Sequence, residues 1–376
     1  MLPDPAPSHV VYRLSAADKL LAALAPADAG EHSKVQKRAP NDEQDAVLTS
    51  IRSLLQLARE TGDQRLLGQA LSRLDADFPN PTANADISLL RADLYQALHR
   101  FQPAIAELQR VLQRQPENPQ ALLMLASLQL VRGDYESAQI ACKQLLGLVP
   151  PLLSGSCGSI VLARQGGPQK AYELLERLYE QTSPSISDSN VLHYAQVSLA
   201  EIADQLGNTS ARDWWYLALQ SQPRDLYTRI GAARNALYRG DPNEVIRLSE
   251  GFDDVDALQL LRAQALQNVD PAAAGAVREK LALRVQLARE RGDTLHARDQ
   301  AAILLDLLQQ PADALALAQQ NWSLQREPED TLLLLRAAIA AGRADVEVET
   351  RRWLAQRHQS HARYPQPSSD AREGTL

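Results

Sequence analysis

Aromatic residues are scarce in this sequence, 5% of 376, although 45% of it is hydrophobic. The apolar share is carried mostly by Ala and Leu, the strongest helix formers, which points to an all-α chain. No stretch approaches the roughly 18 consecutive apolar residues of a membrane span, so no membrane span is expected. Positive charge is short too: a formal net charge of −7 argues against a general phosphate-backbone binder, which needs a concentrated basic face, and no nucleic-acid partner is expected. The opening Met1-Leu2-Pro3-Asp4-Pro5-Ala6-Pro7 has neither a basic segment nor a long apolar core, so on that ground a cytoplasmic location is expected.

The motifs of chemistry are also missing. There is no G-x-x-x-x-G-K-[ST], no H-E-x-x-H, no G-x-S-x-G and no G-x-G-x-x-G at a strand–helix junction, so no catalytic residue, no cofactor and no enzyme activity are expected. The seven histidines are dispersed without metal-site spacing, and no metal site is expected. Ser154-Gly155-Ser156-Cys157-Gly158-Ser159 has the look of a nucleophile or phosphate loop. It falls inside a predicted helix, where small residues permit close packing, and packing is the preferred reading.

What the chain does have is a repeat. Ala92 recurs as Ala126, Phe101 as Tyr135, Ala104 as Ala138 and Pro116 as Pro150, each pair 34 residues apart. Each copy reads as a helix with a small residue, a tight turn, a second helix opening on an aromatic and an alanine, and a closing proline. Alanine belongs where two helices cross closely, because a larger side chain would push the axes beyond the usual 8–10 Å. Proline lacks the N–H and clashes with the preceding turn, so it ends the hairpin. A lone hairpin cannot bury its apolar face, whereas stacked hairpins can.

These residues, with the turn phrase Gly133-Asp134-Tyr135-Glu136-Ser137-Ala138, resemble the tetratricopeptide repeat (TPR), a 34-residue helix–turn–helix unit. The predicted fold is an all-α, TPR-like right-handed α-solenoid of about eight hairpins over 43–358. It is preceded by a Pro-, Ala-, Gly- and charge-rich leader or linker over 1–42, partly disordered, and followed by a disordered tail over 359–376. Proline- or glycine-bearing turns mark the later hairpins: Gly166-Gly167-Pro168, Gly207-Asn208, Gly240-Asp241-Pro242, Asp270-Pro271, Gln310-Pro311 and Gly342. Their uneven spacing breaks the register, and a long helix from Pro271 to about Arg291 is expected to change the curvature.

Leu57-Ala58-Arg59-Glu60-Thr61-Gly62-Asp63 with Leu67-Gly68-Gln69-Ala70, and Asn321-Trp322-Ser323-Leu324-Gln325-Arg326-Glu327-Pro328, look like a bacterial TPR family that is often exported. That resemblance implies a periplasmic location as the alternative and supplies no catalytic residue. The wider TPR resemblance implies a concave groove, lined by the first helix of each hairpin, that binds a protein or peptide partner. The candidates there are Asp93, Gln96, His193, Gln196, Tyr227, Arg234 and Tyr238, the last three with His193 and Gln196 as an aromatic and basic patch. Such Tyr and Arg residues also decorate ordinary helices by their stems, and that reading is preferred. The carboxylate clamp known in the family needs Lys, Arg and Asn at positions held here by Leu89 and Asp93, so it is not expected. Trp214, Trp215, Trp322 and Trp353 are read as packing residues.

Cys142 and Cys157 lie on neighbouring antiparallel helices. They form a disulfide in an oxidising compartment or stay buried thiols in a reducing one, and the sequence leaves the two readings even. The expected function is a non-catalytic scaffold or adaptor; the alternative is a structural subunit spacing components of an envelope or membrane complex. Partner identity and oligomeric state are not set by the sequence.

Overall fold

A computed structural model describes residues 39–79, 84–183, 186, 188–293 and 296–369, with side chains from residue 44 onward. The expected leader therefore lies almost wholly outside the described residues, as do 370–376. Among the described residues eighteen helices form and no strand. They pair as α1 (Ala39–Thr61) with α2 (Arg65–Asp77), α3 (Ala85–Ala97) with α4 (Phe101–Arg114), and α5 (Pro119–Arg132) with α6 (Tyr135–Gln144). Next come α7 (Pro151–Arg164) with α8 (Pro168–Thr182), α9 (Ser189–Leu206) with α10 (Ala211–Ser221), and α11 (Leu226–Tyr238) with α12 (Pro242–Ser249). The array ends with α13 (Asp256–Leu266) and α14 (Pro271–Glu290), α15 (Ala297–Asp306) and α16 (Pro311–Leu324), and α17 (Pro328–Ala340) and α18 (Ala344–Gln356). Nine hairpins thus stand where about eight were expected.

Local chemistry sets the helix ends. Asn118 accepts from the Ala121 amide at 2.9 Å and Asp134 from that of Ser137 at 3.1 Å, satisfying N–H groups that a helix start leaves orphaned. At the other end Gly133 and Gly207 take φ of +75° and +71°, a left-handed conformation that closes the first helix of their hairpins. The repeated alanines do what their spacing implied: Ala92, Ala104, Ala126 and Ala138 are wholly inaccessible at the crossings. The small-residue run is helical within α7, and a Cβ added at Gly155 would meet Leu178 Cδ2 at 2.3 Å, so that stretch serves close packing. Cys142 of α6 and Cys157 of α7 form a disulfide between hairpins, with Cα atoms 5.6 Å apart.

The apolar core runs from hairpin to hairpin, as a solenoid requires, but it also closes on itself. One continuous cluster holds Leu89, Leu123, Val197 and Leu258 together with Leu335, Trp353 and Leu354 of the last hairpin. The C-terminal part of the chain folds back along the edge made by the turns between first and second helices. Gln64 meets His296 at 3.4 Å, the Gln325 amide donates to His99 Nδ1 at 3.1 Å, and the Arg326 backbone N–H donates to the Val131 carbonyl at 2.6 Å. Trp353 stacks edge-on against Tyr135 and Trp322, over Gly133.

The expected tail needs a correction. Residues 359–369 are packed rather than loose: Gln359 is buried, Arg351 donates to the Pro365 carbonyl at 2.8 Å, and Ser368 donates to Glu347 from both its backbone amide, at 3.1 Å, and its hydroxyl, at 2.6 Å. Polar composition suggested a solvated end. The buried polar groups it meets on α9 and α18 give its backbone the partners that such a composition otherwise finds in water.

Candidate functional site

The concave face is furnished by first helices. Ala257, Leu260, Leu261 and Gln264 of α13 point into it at helical spacing, as do Arg298, Ala302 and Asp306 of α15 and Glu329, Leu332, Leu333 and Arg336 of α17. With Arg234, Leu237 and Tyr238 of α11 they enclose a recess of about 490 Å³, within the size range of ligand sites. Its floor is leucine and alanine; its rim is charged and paired. Arg336 and Gln264 both donate to Asp306, the latter at 3.0 Å, and Arg234 lies 3.5 Å from Glu329. Arg363, arriving from the C-terminal segment, places its guanidinium 3.5 Å from the centroid of the Tyr238 ring, a cation–π contact.

Deeper lies a second space of about 60 Å³ among Arg164, Glu201, Tyr227, Arg298, Glu327 and His361. That volume holds a few waters rather than a substrate. Its groups are locked to each other: the Tyr227 hydroxyl donates to Glu201, Arg164 donates to Glu201 at 3.2 Å, and Arg298 sits 3.4 Å from Glu327 and 3.2 Å from Asp330. Burial pushes the Glu201 carboxyl up to about 7 despite Arg164, and pushes His361 down to about 4. The Tyr227 phenol is raised, first by burial and then by the Glu201 charge. Chemically this is a fixed ion cluster joining α7, α9, α11, α15 and α17.

The predicted residues divide between these places. Arg234 and Tyr238 line the larger recess, and Arg234 and Tyr227 the inner space. Only Tyr238 is exposed, at 37%. Asp93, Gln96, His193 and Gln196 lie elsewhere and are buried. Asp93 accepts from Arg59 at 2.5 Å, tying α1 to α3 across one 34-residue step; burial raises its pKa against the pull of Arg59. Gln196 donates to the Tyr179 hydroxyl at 2.8 Å.

His193 sits between Asp225, 2.8 Å from its Nε2, and Ser221, 3.1 Å from its Nδ1. The sequence of groups, Ser–His–Asp, is that of a nucleophilic triad, but with the two ring nitrogens exchanged: a triad puts the hydroxyl on Nε2 and the carboxylate on Nδ1. Here, however, the Ser221 hydroxyl is in donating reach of Gln196 Oε1 at 3.0 Å and the Ala218 carbonyl at 2.9 Å. Asp225 is occupied as the N-cap of α11, and neither cavity reaches the three. The cluster fastens the α10–α11 turn. Among the described residues no group of three or more His, Cys, Asp or Glu side chains could hold a metal ion, and no helix is long and apolar enough to cross a membrane.

Sequence reasoning missed Leu260, Leu261, Leu332, Leu333 and Arg336. The signal was present as a Leu-Leu pair at i+3 and i+4 between polar or small residues at i and i+7 in α13 and α17, but one helix face looks like another until the neighbours are placed.

An all-α array of stacked hairpins with first helices turned toward a common concave face defines a helical-repeat scaffold. The tetratricopeptide repeat family profile matches residues 97–150, from the end of α3 through α6, so the chain carries a tetratricopeptide repeat there. No curated protein matches the sequence. Similar solved structures include a tetratricopeptide repeat protein from Parabacteroides merdae (16% identity, 77% of this chain and 99% of that one, TM-score 0.39). Human IFIT1, solved as a dimer with PPP-AAAA, is 13% identical over 84% of each chain with a TM-score of 0.42. Yeast Tom70 is 11% identical over 84% of this chain and 92% of its own, with a TM-score of 0.25.

Proposed function

We propose that the protein is a non-catalytic scaffold that holds a peptide segment of a partner protein in the recess between α11, α13, α15 and α17. The observation that carries this reading is the recess itself: stripes from four successive first helices converge on one space of about 490 Å³ with a leucine floor and a rim of Arg, Asp and Tyr. Apolar anchors on a peptide find area in such a floor, and the rim fixes their register through charge. The Cys142–Cys157 disulfide suits an oxidising compartment, where such a bridge persists.

The test compares capture of a partner from the native host by the intact chain with capture by Tyr238→Ala and Arg336→Ala. These two side chains stand at the rim with 37% and 43% exposure, so their removal leaves the stack intact. Tyr227 and Arg234 are enclosed and bonded, and truncating either disturbs the ion cluster instead. Loss of the partner from both folded variants, by at least about tenfold (~1.4 kcal/mol), supports the recess. A partner retained by both places the interface elsewhere.

A further inference from the structure

The inter-helix turns form a row, and one stretch of chain follows that row in order. Hairpin by hairpin, the partners are His296 for Gln64, Gln325 for His99, Arg326 for Val131, His358 for Gly166, Ser360 and Ala362 for Gln205, and Arg363 for Tyr238. Over 357–368 that chain is not helical. Its backbone bonds at Gln205, where Nε2 donates to the Ser360 carbonyl at 2.9 Å and the Ala362 amide donates to the Gln205 carbonyl at 2.8 Å, while the Gln359, Arg363 and Tyr364 side chains pack beside it.

The turns offer a repeating docking point. Where the first helix of a hairpin ends on a left-handed glycine, the amide after the glycine bonds back five residues, Asp134 to Gln129 at 2.9 Å and Asn208 to Ala203 at 2.8 Å. This cap satisfies carbonyls deeper in the turn. The carbonyl two residues before the glycine is Val131 in one case and Gln205 in the other, and in both it accepts an amide of the returning chain, Arg326 and Ala362 respectively. The glycine provides the clearance: a Cβ at Gly207 would lie 2.9 Å from Ala362 Cβ, and one at Gly166 would lie 2.6 Å from His358 Cβ. A glycine that lets the other backbone approach makes room for a peptide segment to bond a turn through its own backbone.

We infer that the turn edge of hairpins α7–α8 through α11–α12 is a peptide-docking surface, that residues 357–364 are its tethered occupant, and that their release opens one wall of the concave recess. Ala362 and Arg363 belong to the wall of that recess, so the same segment covers the turn edge and forms one side of the recess. The partner this edge fits is a short segment turned as His361–Tyr364 is, presenting a backbone amide to Gln205 and a cation to the Tyr238 ring. The inference goes beyond the recess reading and can fail without it, because the ligand tested comes from the chain itself.

The experiment uses the full chain, its Ala362→Pro/Arg363→Ala variant and a labelled synthetic peptide of residues 357–369. Proline removes the amide that donates to Gln205, outside any helix. Hydrogen exchange on the unaltered chain is expected to show amides 358–364 opening at least tenfold faster than those of α9, yet more slowly than in the free peptide. In the variant they are expected to exchange at free-peptide rates, and the variant is expected to bind the labelled peptide at least tenfold more tightly than the unaltered chain. Tail amides that open only together with α9 would make the segment permanent core and overturn the inference. So would a variant whose tail stays as protected as before, or one whose tail is released but whose edge takes up no peptide.

Discussion

The hairpins over 85–150 and the returning segment over 322–369 are held by opposite kinds of contact. In the first, each element packs on its sequence neighbour; alanines at 34-residue spacing let the axes approach, and Leu122, Leu123 and Met124 are almost wholly inaccessible. In the second, residues about 190 to 230 positions apart meet, through Trp353 and Arg326 over Gly133, Gln325 on His99 and Tyr135 near Gln359. The comparison teaches that a solenoid, additive along its axis, can acquire a non-local seam that makes its two ends depend on each other.

The sharpest way to break that comparison is to strike each side in turn. Trp353→Ala should cost about 3–5 kcal/mol as a large-to-small core change, and Leu123→Ala about 2–5 kcal/mol. The expected difference is spatial: hydrogen exchange after Trp353→Ala should rise at the turns near 99 and 133 while α5 stays protected, whereas Leu123→Ala should loosen α5 and both its neighbours. Identical exchange patterns would mean that the seam and the stack are one cooperative unit.

A somewhat smaller effect is expected at the disulfide, which closes a loop of sequence separation 15 within the regular stack. The Cys142→Ser/Cys157→Ser chain should lose about 3 kcal/mol in denaturant unfolding, by the chain-entropy account. The seam contacts at His99 and Gly133 should be unchanged in exchange. Loss of protection there would show that the stack, rather than its own contacts, holds the seam.

The smallest expected effect is a slope. Burial pushes His99 and His361, both at the seam, down to about 4 from 6.5; the unfolded chain therefore binds more protons between those values, and their contribution is lost as pH falls through that window. Glu201 runs the other way. Its folded pKa is raised from 4.5 to about 7, so its contribution is present at low pH and lost as pH rises through that window. Glu201→Gln should therefore steepen the fall in stability between pH 7 and pH 5 relative to the parent, measured by urea unfolding at each pH. A shallower fall would show that Glu201 is held as the carboxylate.

Much of the fold was legible because helical repeats write their packing locally. Ala92 and Ala126, Gly133 and Gly207, Asn118 and Asp134 each carry their structural duty in their own type and spacing. The site was less legible. Tyr238 was readable as a groove residue, but Tyr227 and Arg234 are enclosed by Glu201 and Glu329 from other hairpins, and His193 is taken up by Asp225. The leucines of α13 and α17 carried a pattern with no partner attached.

What the sequence determined by itself is the class of element and its repetition: helices from Ala and Leu content, turns from Gly and Pro, crossings from the alanine register, because each of these depends on residues within one or two turns of each other. Only the tertiary structure decided that the array folds back on its own turns and that residues 359–369 are packed on it. A contact such as Ala362 to Gln205 joins one backbone amide to one backbone carbonyl 157 residues apart. Every residue but proline carries both of those groups, so nothing in the side-chain sequence marks the pair until curvature brings them together.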